Sequence, residues 1–397
     1  MTGNPDSGNK NILVLNCGSS SVKYMLFDLS LRRLAKGNVE RIGSAEAFII
    51  TDTKEMCNIP DHKTAIELVL DRLFKNVIKE KDDIIAIGHR VVHGGEKMTQ
   101  PSVVNEEVKS EIKKCFNLAP LHNPHNLTGI LAIEQLLPGI PNIAVFDTAF
   151  YKSIPAHAYL YALPYYLYKK HSIRRYGFHG ISHQFVAEKT AEILKKPLSE
   201  LKIITCHLGN GCSITATKNG TPVDTSMGFT PLEGLIMGTR CGDLDPSIVT
   251  YIATTEGMTM NDVNKLMNSQ SGLYGISGIS NDMRTLIEES EKNNERATIA
   301  IDMFCYRIKK YIGSYNAVLD GADAIVFTAG IGENSPIIRE KSVENLSNLG
   351  IEIDKELNKS TKQGIISNKN SAIKVLVLPT NEELMIAKQV LTLTKKK

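Results

Sequence analysis

The chain has 397 residues, 42% of them hydrophobic, with 46 basic against 43 acidic side chains and a formal charge of +3. That length and apolar content suffice for a sizeable core divided over two or more domains. Balanced charge, with no Lys/Arg block beyond the final KKK, gives little support to nucleic-acid binding through a dominant basic face.

Residues 1–10, MTGNPDSGNK, lack the apolar core of a signal peptide and are expected to form a disordered tail. An apolar run, ILVL at 12–15, then breaks at a turn of Gly18 and three serines and resumes as a second run carrying Lys23. A helical pattern over 63–79 leads to the strand IIAI at 84–87, with Arg90 just beyond it. The strand NIAVF, 142–146, ends on Asp147, and a tyrosine-rich, proline-punctuated segment at 151–168 fits neither helical nor strand period. Its tyrosines are read as packing at a domain or subunit interface in preference to lining a ligand cleft. Further on come a helix over 182–195, the strand KIITC at 202–206, the turn signal Asn219-Gly220 and a helix over 294–319. The strand AIVFT at 324–328, the strand KVLVL at 374–378 and a helix over 381–392 complete the series. Short apolar strands alternating with helices predict an α/β architecture with largely buried sheets. Seven cysteines without a CxxC pair suit a reducing compartment, the cytoplasm, and no stretch approaches the roughly 18 apolar residues of a membrane span.

Two hairpins look like one device used twice. After the 12–15 strand stands NCGSSSVK; after the 202–206 strand stands HLGNGCS. Glycine-rich turns let backbone N–H groups approach an anion, hydroxyls add donors, and a lysine supplies a point charge. For either turn alone an ordinary hairpin is an equal reading; their recurrence points to a polyphosphate. A third glycine turn follows 324–328, where Ser335 is placed to cap a helix that opens with Pro336, so Gly330–Asn334 occupy a strand-to-helix corner of the kind where ligands collect. Neither a P-loop nor a G-x-G-x-x-G fingerprint occurs, which weakens those nucleotide folds. His179 and His183 have the i, i+4 spacing of some zinc pairs, but no glutamate intervenes and no third ligand is evident.

NCGSSSVKYMLFD, GHRVVHGGE, LAPLHNPHN, FDTAFY, YGFHGISH, HLGNGCSI, MGFTPLEGLIMGTRCGDLDP, SNDMR, FTAGIGENS and PTNEE follow one another from about residue 12 to 390. Together they closely resemble the acetate kinase family. The resemblance implies two RNase H-like domains flanking a nucleotide cleft, the fold of acetate and sugar kinases and actin-like ATPases. The first domain is expected over 11–149, completed by a C-terminal helix at 384–397, and the nucleotide-binding domain over 150–383. It also implies reversible, Mg²⁺-dependent transfer of the ATP γ-phosphoryl to acetate, giving ADP and acetyl phosphate by direct in-line transfer, with Mn²⁺ as a substitute metal, in a cytoplasmic homodimer with no nucleic-acid or membrane partner. A propionate or butyrate kinase of the same superfamily is the alternative enzyme, and a nucleotide-driven switch ATPase the alternative class; the paired arginines Arg90 and Arg240 weigh against the switch.

The same resemblance distributes roles. Arg90 clamps the acetate carboxylate, Arg240 stabilises the transition state, and His179 donates to an equatorial phosphoryl oxygen. Asp147 is the family's acid/base residue, but acetate is already ionised near neutral pH, so positioning of Arg90 or a metal-bound water is the better physical role. Val92, Leu121 and Pro231 surround the acetate methyl group. Lys23, Ser19 and Ser21 meet nucleotide phosphate, joined by the phosphate loop His207, Leu208, Gly209, Asn210 and Gly211. Asp282, Met283 and Arg284 hold ribose, and Gly330, Ile331, Gly332, Glu333 and Asn334 hold adenine. Asn16 and the PTNEE glutamates hold the metal. Thr380 and Glu383 have capping-box spacing, which is expected to occupy Glu383 and leave Glu382 as the free carboxylate.

Overall fold

The computed structural model describes residues 10–395, so the expected tail lies, except for Lys10, outside the described residues, as do 396–397. The chain divides into two compact units. The first runs up to Lys152 and resumes at Asn381; the second is Ser153–Thr380. The crossings thus fall after residues 152 and 380, against expected crossings after 149 and 383.

The first unit is built on an eight-stranded sheet: β1 (Asn11–Cys17), β2 (Ser21–Asp28), β3 (Arg33–Glu40), β4 (Phe48–Ile50), β5 (Lys54–Met56), β6 (Ile84–Val91), β7 (Ser102–Val103) and β8 (Asn142–Phe146). Their spatial order is β5-β4-β3-β2-β1-β6-β8-β7. β1 runs antiparallel to β2 and parallel to β6, which is parallel to β8. Central β1 is covered on both faces, which is why it is a continuous apolar run: Ile12, Leu13 and Val14 are 0% exposed. Arg90 belongs to β6, which extends past the expected IIAI run to Val91.

The second unit carries a six-stranded sheet of β9 (Lys202–Leu208), β10 (Cys212–Lys218), β11 (Thr221–Thr225), β12 (Ala324–Thr328), β13 (Gly364–Ile365) and β14 (Lys374–Val377), in the order β11-β10-β9-β12-β14-β13. β9 pairs antiparallel with β10 and parallel with β12, and β12 runs parallel to β14. β3-β2-β1-β6-β8 and β11-β10-β9-β12-β14 are therefore the same motif built twice, an antiparallel meander continued by parallel strands. Asn219 and Gly220, both at positive φ, make the β10–β11 turn that the Asn-Gly pair predicts.

Five helices position the site: α1 (His62–Asn76), α2 (Asn123–Leu136), α3 (Gly180–Leu194), α4 (Glu295–Val318) and α5 (Glu382–Thr394). α5 belongs to the first unit and packs across β1 and β6. Its seat explains the glycine opening GHRVVHGG: a methyl group on Gly88 would lie 2.7 Å from an Ile386 methyl and 2.8 Å from one of Val390. A strand glycine costs about 0.5–1 kcal/mol. Full burial of an Ile or Val side chain gains about 1.5–3 kcal/mol each, so the exchange is favourable.

α5 also corrects the expected capping box. Its N-cap is Asn381, whose side chain accepts from the Leu384 N–H. Thr380 instead contacts the Ser182 hydroxyl and donates its N–H to Glu333. The tyrosine-rich segment forms two short helices, Ala156–Tyr159 and Tyr165–His171.

Candidate active site

In the first unit, parallel pairing of β6 with β8 sets Arg90 opposite Val145, two residues before Asp147. The Arg90 guanidinium donates to Asp147 through Nη2 at 2.6 Å and Nε at 3.4 Å, and Nε lies 3.3 Å from Glu382 Oε2. Burial opposes the arginine's charge, but the carboxylates of Asp147 and Glu382 outweigh it and hold its pKa above the ordinary value. Asp147 is itself fully buried. Glu382 is therefore engaged by Arg90, contrary to the expectation of a free carboxylate. Burial, and then the charge of Glu382, push the neighbouring Glu383 carboxyl upward, with Lys23 and Arg90 pulling it back.

Between β1 and β2, Cys17 pairs with Val22 around the serine turn, and Asn16 stands directly opposite Lys23. The turn closes with the Gly18 N–H donating to the Ser21 carbonyl at 2.8 Å. Ser19 is exposed and Ser21 half-buried. A residue not singled out in the sequence ties this turn to the bend after β6: Asn126, 3% exposed near the start of α2. Its Nδ2 donates to the Cys17 carbonyl at 2.8 Å while its Oδ1 accepts from the Val92 N–H at 3.1 Å. Asn126 lies in the quoted LAPLHNPHN, but its task is visible only once the strands are assembled. Val92 is buried in the bend after β6, while Leu121 is 54% exposed.

In the second unit, β9 and β10 close on Leu208 and Cys212, leaving Gly209–Gly211 as the turn, with His207 paired to Ser213. The Gly209 N–H donates to the Gly211 carbonyl at 3.1 Å. Asn210 accepts from the Gly238 N–H and from Asn281 Nδ2, and a methyl group on Gly238 would strike the Asn210 amide, so this glycine permits the close approach. His179 precedes α3, and its ring stacks on His207 with centroids 4.2 Å apart. A methyl group on Gly211 would lie 3.5 Å from His179 Nε2 and 3.6 Å from Arg240 Nη1, so both side chains address one point above the turn. Arg240 donates to the Pro231 carbonyl at 3.3 Å. Burial pushes its pKa down, and among the described residues no carboxylate pairs with it.

The loop carrying Pro231 is held from behind. Tyr161 Oη accepts from the Phe229 N–H at 2.8 Å and bonds Glu233, which also takes Arg175 Nη2 at 2.6 Å. That gives one tyrosine of the 151–168 segment a task inside the second unit.

The remaining candidates divide between backbone and side chain. Leu208 and Met283 are buried in the core, which leaves only their backbone for a ligand. Asp282 caps the helix Met283–Glu291, accepting from the Arg284 N–H and pairing with the exposed Arg284 guanidinium. Gly330–Asn334 form part of a helical turn, Ala329–Asn334, and Ser335 caps the next helix with Pro336 at its start. Glu333 Oε1 accepts from the N–H groups of Ala329 and Thr380, which gives this side chain a structural task. Arg339, 1% exposed and overlooked in the sequence, donates to the Gly332 and Glu333 carbonyls and braces this turn from within.

Residues 11–388 match the model of the acetokinase family. The acetate kinase of Halothermothrix orenii is 54% identical over 388 residues, 95% of this chain and 98% of that protein. The crystal structure of Porphyromonas gingivalis acetate kinase superposes with a TM-score of 0.91 at 44% identity, covering 97% of this chain and 100% of that one. A propionate kinase from Francisella tularensis gives a TM-score of 0.91 at 43% identity over 96% of this chain and 98% of that one.

Proposed function

Because the chain belongs to the acetokinase family and has acetate kinase activity, with ATP as co-substrate, we propose that two differently prepared arginines carry its phosphoryl transfer. Arg90 is the acetate clamp. Asp147 and Glu382 engage its Nε and Nη2, fixing the guanidinium plane and leaving Nη1 to meet the carboxylate of acetate. Asp147 acts by positioning Arg90, since the acetate oxygen that attacks phosphorus carries no proton to remove. Arg240 is the transition-state cation. The single observation that carries this reading is its half-buried guanidinium without an acidic partner among the described residues, an uncompensated charge suited to the equatorial oxygens of a moving phosphoryl group.

His179 adds a hydrogen bond to the same group, and the Gly209–Gly211 turn, with Ser19, Ser21 and Lys23, holds the nucleotide phosphates. Asp282–Arg284 and the backbone of Gly330–Asn334 serve ribose and adenine. Asn16 and Glu382 fit Mg²⁺, or Mn²⁺ in its place: both offer hard oxygen donors, with Arg90 Nε 3.3 Å from Glu382 Oε2. When bound, the ion neutralises phosphate charge; two protein ligands suffice because Mg²⁺ keeps waters and phosphate oxygens.

Trapping the acyl phosphate with hydroxylamine tests the transfer. Hydroxamate should form in step with ADP, whereas release of free phosphate without hydroxamate would replace the kinase with a switch ATPase. We further infer a cytoplasmic homodimer. All seven cysteines are unpaired thiols, and no described helix is long and apolar enough to cross a membrane. Helix Ser247–Thr255 is largely apolar yet buries none of its residues, which offers a face to a second copy. Light scattering at twice the monomer mass is the expected result.

A further inference from the structure

Behind His179 stands a file of buried polar groups that the transfer itself does not use. Thr205, His183 and Ser213 are all 0% exposed. Thr205 Oγ1 lies 2.6 Å from His183 Nδ1, His183 Nε2 lies 2.7 Å from Ser213 Oγ, and Ser213 Oγ lies 2.9 Å from His179 Nδ1. Burial, and then the nearby His207, push the His183 imidazole well below its usual range, so this ring is neutral.

His179 is held in an unusual posture. It takes the left-handed conformation, φ 57° and ψ 24°, at the N-cap of α3, yet its side chain does not cap the helix. A non-glycine residue there carries strain, which persists only where the surroundings over-determine it. Here the ring is fixed on one side by the stacked His207 and at Nδ1 by Ser213, while Nε2 and Arg240 Nη1 both lie beside Gly211.

A hydroxyl has one proton, so Ser213 donates to one of its two imidazole partners and accepts from the other. The tautomers of His179 and His183 are thereby locked together. We propose that Thr205, His183 and Ser213 form a one-way hydrogen-bond relay that fixes neutral His179 as its Nε2–H tautomer, with Ser213 as the positioning residue. The direction follows from the task of His179, since the 2.6 Å contact between Thr205 and His183 is kept whichever of the two donates, and the 3.4 Å contact from Thr205 to the Thr215 carbonyl is too long to decide it. In the direction that task requires, Thr205 donates to His183 Nδ1, His183 Nε2–H donates to Ser213, and Ser213 donates to His179 Nδ1. The proton of His179 stays on Nε2, aimed at the point it shares with Arg240. The reverse relay would leave a bare lone pair at Nε2 that repels a phosphoryl oxygen. The inference rests on His179 as the donor to the phosphoryl group and supplies the reason it can donate while uncharged.

Nitrogen-15 spectra of the histidine-labelled full chain, recorded above the titration of the ring and assigned with His179→Asn, read the tautomer directly. A protonated Nε2 with a bare Nδ1 is expected in the wild type; a protonated Nδ1 reverses the relay and overturns the proposal. Ser213→Ala should mix the tautomers and lower kcat about tenfold, with both KM values within about twofold, while Ser213→Thr restores the wild-type pattern. An unchanged tautomer in Ser213→Ala also overturns the relay. A shifted tautomer with kcat unmoved upholds the relay and refutes instead the donor role of His179.

Discussion

Asp147 Oδ2 lies 2.6 Å from Arg90 Nη2, and both groups are sequestered, the Asp147 side chain being 1% exposed and that of Arg90 16%. Breaking a buried pair leaves an uncompensated charge, so the acid is expected to matter through the base it holds. Asp147→Asn should lower kcat/KM for acetate by a factor on the order of 10²–10³ while the dissociation constant for ATP stays within about twofold. Arg90→Ala should share that pattern. Equal damage to ATP binding, with acetate KM unmoved, would place the pair on the nucleotide instead.

The two glutamates of PTNEE separate by their contacts. Glu382→Ala should raise the Mg²⁺ concentration for half-maximal activity roughly tenfold to a hundredfold. Asn381→Ala, which removes the cap of α5, should cost about 1 kcal/mol in a denaturant titration and leave the metal requirement alone. If the metal defect follows Glu383→Ala, that residue is the ligand.

We propose that Val92 governs which acid fits. One methylene in an apolar pocket is worth about 1–3 kcal/mol, so the wild type should prefer acetate over propionate by roughly ten- to two-hundred-fold. Val92→Ala should narrow that ratio of kcat/KM values and leave ATP kinetics nearly unchanged. Because β6 ends at Val91, strand alternation alone does not aim this side chain; the bond from its N–H to Asn126 fixes the bend. An unmoved ratio removes Val92 from the pocket.

Acid stability should report on His89. Burial pushes this imidazole down to about 4 from an ordinary 6.5, with its bond to Asn142 opposing the shift. The folded ring therefore stays neutral while the unfolded chain takes up a proton below pH 6.5. The stability it contributes is complete above that pH and is lost as pH falls toward about 4, a change of roughly 3 kcal/mol. His89→Gln, which keeps a donor for Asn142, should flatten this part of the curve in urea titrations between pH 7 and pH 4. An unchanged slope would mean that water reaches the ring.

The strands were legible because their burial is written as apolar runs, and both glycine-containing hairpin turns because small residues interrupt those runs. The cap of α5 was not. Thr380 and Asn381 are both good N-caps, and the choice was made by distant partners, Glu333 and Ser182, which draw Thr380 away. Asn126, Ser213 and Arg339 escaped for a similar reason: each bonds groups remote in sequence, and a single polar residue in a motif carries no mark of which backbone it will meet. The two-fold recurrence of the sheet motif surfaced in sequence only where its two hairpins turn.

Since the first unit is interrupted by the second, its assembly has an order in time. During synthesis β1 and β6 emerge early, but the helix that fills their Gly88 seat leaves the ribosome only after all of Ser153–Thr380. Until then the sheet face is open and Arg90 lacks Glu382. A nascent chain, or one cut before residue 381, therefore holds an exposed apolar face for chaperones to cover and an Arg90 with one of its two carboxylate partners absent. Completion of the first unit coincides with completion of that buried charge cluster.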